Sequence, residues 1–262
     1  MELEIRRCAY PIEKIHTPKG AQAVVGLHGY TGYPGELALP AQELFNTGLD
    51  LFVPRYPGHG TNGKDFLTTG KEEWIGAAEV AVKKALEHYA KVSLIGHSMG
   101  GAIAVILASR YPIERVVLYA PALLLPTVPR YLLRVISPFV KRKKVKWAQD
   151  TRYNFFDERD EGDDLYLGSE YWSYLYPRQV LELIAIMDEA QRVLPQVKCD
   201  ILVITGGDDA TVPQDVGPLV VRQGGGENLW VHLPLATHLI PYDWDENSRL
   251  EAMSQTVAWL NS

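Results

Sequence analysis

The stretch Val92-Ser93-Leu94-Ile95-Gly96-His97-Ser98-Met99-Gly100-Gly101-Ala102-Ile103-Ala104 changes character at its middle. Its left half is a short apolar run that reads as a buried strand. Its right half is small and apolar and reads as a tightly packed helix. Between them Gly96-x-Ser98-x-Gly100 fits the G-x-S-x-G pattern of a nucleophile elbow. A sharp strand-to-helix turn forces such a serine into strained backbone geometry, and a Cβ on either flank would clash, so glycine is needed on both sides. The strain lifts the hydroxyl clear of the sheet. The helix that follows aims free N–H groups and a positive dipole end at whatever the serine attacks.

Working outward, strand and helix alternate. Ala21 to Leu27 is a continuous apolar run, as expected of a strand buried on both faces. It ends in the Gly-rich loop His28-Gly29-Tyr30-Thr31-Gly32, placed where α/β sheets bind ligands. Residues 35–47 read as a helix stopped by Gly48, and Leu49 to Pro54 as a strand leading into a second Gly-rich loop, residues 55–60. Helical spacing returns over residues 71–90, and Arg115 to Tyr119 is the next strand. This alternation predicts an α/β fold with a mostly parallel central sheet, right-handed crossovers and flanking helices. Residues 4–16 read as one or two edge strands.

The rhythm breaks after Ala120. Residues 121–190 hold no evident buried strand but many aromatics, among them Trp147, Tyr153, Tyr171 and Trp172, with a basic cluster at 141–144 and acids at 157–164. They read as a small cap inserted into a core made of residues 1–120 and 191–262. Both charged clusters are expected to be solvated. The sheet resumes at Asp200 to Thr205 and closes with residues 229–233, followed by an amphipathic helix over 246–260.

The 262 residues suit one such α/β domain with an insertion. A net charge of −6 argues against nucleic acid as a partner, because phosphate binding needs a basic face. Cys8 and Cys199 suggest no disulfide framework. No apolar run is long enough to cross a bilayer, and the residues around Met1–Arg7 lack the apolar core of a signal peptide, so a soluble cytoplasmic protein without integral membrane association is expected. No His/Cys/Asp/Glu spacing matches a metal site.

A serine hydroxyl needs a neighbouring base, and the base needs an orienting carboxylate. Ser98, then Asp208 or Asp209, then His238 supply these residue types at the ends of three successive strands, in the order serine, acid, histidine. His28, His59 and His97 lie in Gly-rich loops and suit structural hydrogen bonds. His16 and His88 suit the surface, and His232 the inside of a strand.

These pieces resemble the α/β-hydrolase superfamily, and within it the bacterial carboxylesterase and monoacylglycerol lipase-like group. The resemblance is carried by residues 27–32, 54–60, 96–101, Gly206-x-x-Asp209-x-x-Val212-Pro213 and Thr237-His238, and leaves only the cap unmatched. It implies that Asp209 is the acid and that the backbone N–H groups of Tyr30 and Met99 form the oxyanion hole. It further implies a serine esterase acting on a small-molecule carboxylic ester, short- to medium-chain or monoacylglycerol-type, through an acyl-enzyme with no metal or organic cofactor. Thioesterase, feruloyl-type esterase and aminopeptidase chemistry on the same constellation, or a non-catalytic binding module, are the alternatives.

Overall fold

The structure is a computed structural model and describes residues 4–124 and 129–262. Residues 1–3, with the start of the N-terminal stretch, and residues 125–128, within the expected cap, lie outside the described residues. Along the chain the strands are β1 (Ile12–Lys14), β2 (Gln22–Leu27), β3 (Asp50–Val53), β4 (Lys91–His97), β5 (Arg115–Tyr119), β6 (Lys143–Lys144), β7 (Tyr174–Leu175), β8 (Asp200–Gly206) and β9 (Asn228–Leu233). The α-helices are α1 (Ala38–Asn46), α2 (Gly63–Phe66), α3 (Lys71–His88), α4 (Met99–Arg110), α5 (Arg130–Ile136), α6 (Glu161–Leu167), α7 (Pro177–Val193), α8 (Val216–Gln223) and α9 (Glu246–Asn261).

Seven strands form the main sheet in the order β1-β3-β2-β4-β5-β8-β9. Every pairing in it is parallel except that of β1, an antiparallel edge on β3. Of the edge structure expected over residues 4–16 only this short strand forms. The preceding Arg7–Ala9 is instead a 3₁₀ turn that buries Cys8 and Ala9.

The strands are apolar throughout because both faces are covered. Ala23, Val25, Leu94, Val116, Leu118 and Val203 face α3, α4 and α8 on one side, with α7 packed on α3 and α4 in the same cluster. Val24, Ile95, Val117, Tyr119, Leu202 and Ile204 meet α1 and α9 on the other. This is the period-two alternation of a strand. Helix α4 is buried from Met99 to Ala108, which explains why its sequence is apolar all round rather than amphipathic.

The connection after β2 runs to one side, to β3. The next returns across β2 to β4 on the other side, and β5, β8 and β9 continue outward. The carboxyl ends of β2 and β4 therefore flank the point where strand order reverses, where open α/β sheets form a ligand crevice. Between β5 and β8 the chain leaves the sheet. Its excursion contains the two-stranded ribbon β6–β7, helices α5 and α6, and finally α7, which packs on α4. Three tyrosine or tryptophan contacts seat the excursion over the strand ends. Tyr171 Oη donates to the carbonyl of Gly58 at 2.8 Å, Trp172 Nε1 donates to that of Thr31 at 3.3 Å, and Tyr153 Oη pairs with Thr237 Oγ1 at 2.8 Å.

Candidate active site

Ser98 stands between the end of β4 and the first turn of α4 with φ +52° and ψ −115°, a left-handed conformation that side chains rarely adopt. Hydrogen bonds to β5 and the loop after it help hold it there. Its N–H donates to the Tyr119 carbonyl at 2.9 Å, and its carbonyl accepts from Ala122 N–H at 2.9 Å. The flanking glycines answer to close backbone approach. A Cβ on Gly96 would lie 2.6 Å from the Gly100 carbonyl oxygen, and one on Gly100 would lie 2.0 Å from that of Leu27.

His238 follows β9 and brings its Nε2 to 3.0 Å from Ser98 Oγ, with Nδ1 2.8 Å from Asp209 Oδ2. Asp209, in the loop after β8, uses its other oxygen to accept from the N–H groups of Thr211 and Val212 at 2.7 and 2.8 Å. With Nδ1–H given to the carboxylate, Nε2 is left unprotonated and faces the serine hydroxyl as acceptor. Asp208, the other candidate acid, is exposed, and only its main chain is engaged here, its N–H donating to the Ala236 carbonyl.

The charges are arranged to match. Burial alone would raise the Asp209 pKa, but the bond from His238 and the two amides outweigh it and hold the group ionised below its usual range. Burial pulls the His238 pKa below its usual value, against the pull of Asp209, so the ring is neutral near pH 7.

Tyr30 lies in the loop after β2, where Thr31 has φ +56°. Met99 is the first residue of α4, so its N–H has no partner within the helix. Among the described residues neither the Tyr30 nor the Met99 amide donates to another protein group.

The space in front of Ser98 is a cavity of about 270 Å³, at the small end of ligand pockets, lined by Tyr30, Trp147, Tyr153, Trp172, Leu239 and Tyr242 among others. A larger groove, about 430 Å³, lies between β1, β3 and α3 but contains none of these groups. Each acid lining the smaller cavity has a basic partner. Glu36 lies 3.1 Å from His97, Asp150 2.6 Å from Arg152, and Asp164 2.9 Å from Arg159.

Two features depart from the sequence reading. Asp163 and Asp164, expected on a solvated face, are buried, because Asp163 takes the Arg6 guanidinium at 2.6 Å and the Cys8 N–H at 3.0 Å while Asp164 pairs with Arg159. His16, expected at the surface, is half-buried against Phe45, with its Nδ1 2.7 Å from the fully buried Asp50. Lys141 to Lys144 are exposed as expected.

Two residues escaped the sequence reading altogether. Asp243 is fully buried and accepts from both the N–H and the hydroxyl of Thr237, at 2.6 and 2.8 Å, bracing the loop that carries His238. Glu36 is buried beside His97. A lone acid in the otherwise apolar run Tyr33–Pro40 was the only signal for it.

The profile of the family described as serine aminopeptidase, S33, matches residues 18–240. The chain is 24% identical over 258 residues to a thermostable monoacylglycerol lipase of Bacillus sp. (strain H-257), covering 92% of this chain and 94% of that protein. Among solved structures it resembles one from the metagenome-derived lipolytic enzymes LipS and LipT, with a TM-score of 0.84, 21% identity, and coverage of 98% of this chain and 99% of that one. It also resembles the monoacylglycerol lipase of Paleococcus ferrophilus, with a TM-score of 0.71, 20% identity and the same coverages. The structural likenesses are those of the α/β-hydrolase fold.

Proposed function

The chain belongs to the serine aminopeptidase S33 family of α/β hydrolases, and from that premise we propose that it is a serine esterase in which Ser98, His238 and Asp209 form the catalytic triad. The observation that carries this reading is the Asp209–His238–Ser98 hydrogen-bond chain, 2.8 and 3.0 Å, opening onto a pocket with an aromatic lining. The monoacylglycerol lipase relative supports an ester as substrate.

In this mechanism His238 Nε2 takes the Ser98 proton as Oγ attacks the ester carbonyl. The carbonyl oxygen becomes an oxyanion held by the amides of Tyr30 and Met99. Each such donor contributes about 3 kcal/mol to transition-state stabilisation. The tetrahedral intermediate collapses, the alcohol leaves with the proton from His238, and an acyl-Ser98 ester remains. Water then gives a proton to His238 and attacks the acyl carbon. The carboxylic acid departs as the proton returns to Ser98. Asp209 stays ionised and orients the ring, and the chain's own residues supply every proton transfer.

Residues 121–190 serve as the cap over a core of 1–120 and 191–262, with α7 rooting the cap on α4. The pocket volume of about 270 Å³ and its aromatic lining suit a short- to medium-chain acyl group, or a monoacylglycerol of such an acid, better than a long chain. An aminopeptidase needs an uncompensated carboxylate for the substrate's free amine. Glu36, Asp150 and Asp164 are each already paired, which favours the ester. The cytoplasm is the proposed location, in keeping with two unpaired cysteines.

Hydrolysis of a p-nitrophenyl ester series from acetate to palmitate tests the proposal. Turnover peaking at short or medium chains and lost in Ser98→Ala is the expected result. No turnover on any ester by folded enzyme that also resists an organophosphonate would overturn it.

A further inference from the structure

Glu36 stands on the turn before α1, outside the triad, yet it reaches three of the segments that build the site. Its Oε2 accepts the Gly29 N–H at 2.9 Å, in the loop that carries Tyr30. The same oxygen lies 3.1 Å from Nδ1 of His97, the residue before the nucleophile. His97 Nε2 in turn lies 2.9 Å from the main-chain carbonyl oxygen of His238. Glu36 is 5% exposed and His97 2%.

The His238 carbonyl oxygen can only accept, so Nε2 donates, and Glu36, which already accepts the Gly29 N–H and is held ionised by it and by His97, accepts from Nδ1 as well. We propose that Glu36 and His97 form a permanent buried carboxylate–imidazolium pair whose role is to position the catalytic histidine and the oxyanion loop. One oxygen ties down Gly29, and the imidazolium ties down the His238 backbone. Both are positioning residues, since neither faces the reacting atoms through a bond of its own, and the proposal rests on the triad reading above.

The titratable groups around the pair agree with this state. Burial would lower the His97 pKa, but the bond to Glu36 outweighs it and raises it. Burial would raise that of Glu36, but His97 and the Gly29 amide bring it down. His28, after β2, is neutral. Asp209, after β8, is ionised, and the His238 ring, 5.1 Å from that of His97, is neutral.

Two variants separate charge from tethering. In Glu36→Gln the one atom that faces both Gly29 and Nδ1 becomes a neutral amide oxygen, which still accepts from Gly29 but no longer holds a second proton on the ring, so His97 becomes neutral and its single proton either stays on Nε2 toward His238 or moves to Nδ1. In His97→Leu that bond is gone. Misplacing a catalytic group by about 1 Å costs up to about 100-fold, so His97→Leu is expected to lose about 30-fold or more in kcat with KM within about threefold. Organophosphonate labelling of Ser98 should slow by the same factor, and Glu36→Gln should lose less than about tenfold.

The direct readout is ¹⁵N NMR of the histidine rings in the whole enzyme. Both His97 nitrogens should be protonated in wild type at pH 7, and only one in Glu36→Gln. A neutral His97 in wild type at pH 7 would overturn the ion pair. A folded His97→Leu, or Glu36→Gln with His97 detached from His238, that keeps wild-type kcat and labelling rate would overturn the positioning role. If wild type neither turns over nor labels, the esterase reading fails and takes the positioning role with it, while the NMR still decides the ion pair.

Discussion

Ser98 occupies its left-handed conformation (φ +52°) at a cost of about 1–3 kcal/mol. Glycine would hold the same geometry without that strain, at an entropic cost of about 0.5–1 kcal/mol. Ser98→Gly is therefore expected to abolish ester hydrolysis while leaving stability equal to wild type or higher by about 1 kcal/mol. Denaturant unfolding checks this, and a loss beyond about 2 kcal/mol would show that the elbow is not strained. Asp209→Asn tests the acid. The asparagine oxygen would keep the amides of Thr211 and Val212, which turns its NH₂ toward His238 Nδ1 and moves the ring proton to Nε2. A base protonated on the side that must accept should lower kcat by about 10³–10⁴ with KM little changed. At this scale sequence was informative only where residue type and chemistry coincide. Ser98 and His238 could be named for the proposed triad because serine, acid and histidine follow a chain order, whereas Asp209 was separated from Asp208 only by the family resemblance. Glu36 and Asp243 could not, because what singles them out is burial beside a partner that no motif marks, His97 for Glu36 and Thr237 for Asp243.

Among the elements, the strands buried on both faces were legible because their only requirement is a short apolar run between turns. The predicted helix over 35–47 corresponds to α1, and Gly48, with φ +97°, stands two residues beyond it. Helix α8 went unread. It is short and includes Gly217 and Pro218, both poor helix formers. Tertiary packing justifies it, since a Cβ on Gly217 would lie 2.2 Å from the indole nitrogen of Trp230 on β9. The excursion between β5 and β8 was legible as an interruption but not as a structure, because its aromatics pair with loops of the core rather than in any sequence period. The α4–β2 contact gives a sharper test. Gly100→Ala places a methyl group 2.0 Å from the rigid Leu27 carbonyl, so α4 must move off the sheet. Overpacking of this kind costs about 1–3 kcal/mol. Because the displaced helix carries Ser98 and the Met99 amide, activity should fall further than stability, by 100-fold or more. A Gly100→Ala enzyme with wild-type kcat would show that the elbow tolerates a wider spacing.

Across the whole molecule, the buried histidines make stability depend on pH with a definite sign. His28 gives Nδ1–H to the Gly29 carbonyl and accepts the Tyr56 N–H on Nε2, so protonation would destroy an acceptor in a fully buried site. Burial accordingly pushes its pKa down to about 4. Burial also depresses His59 well below its usual value, and His238 less far. The unfolded chain binds protons at these rings near pH 6.5, whereas the fold binds them only at lower pH, so stability is fully present above 6.5 and is lost as pH falls. A shift from 6.5 to about 4 corresponds to roughly 3 kcal/mol for His28 alone. His97 has the opposite sign. Its raised pKa contributes stability below pH 6.5 that is lost as pH rises through the folded value, which partly offsets the acid loss. Asp50, Glu36 and Asp209, all lowered, add their losses only at more acidic pH, near and below the ordinary carboxylate range. Three depressed histidines against one raised one predict that unfolding free energy falls by several kcal/mol between pH 7 and pH 4.5. Urea unfolding at the two pH values measures the difference. His28→Asn, which can still accept from Tyr56 without titrating, should flatten the dependence even if it lowers stability at pH 7. An equal slope in the variant would place the acid lability elsewhere than in the buried histidine at the end of β2.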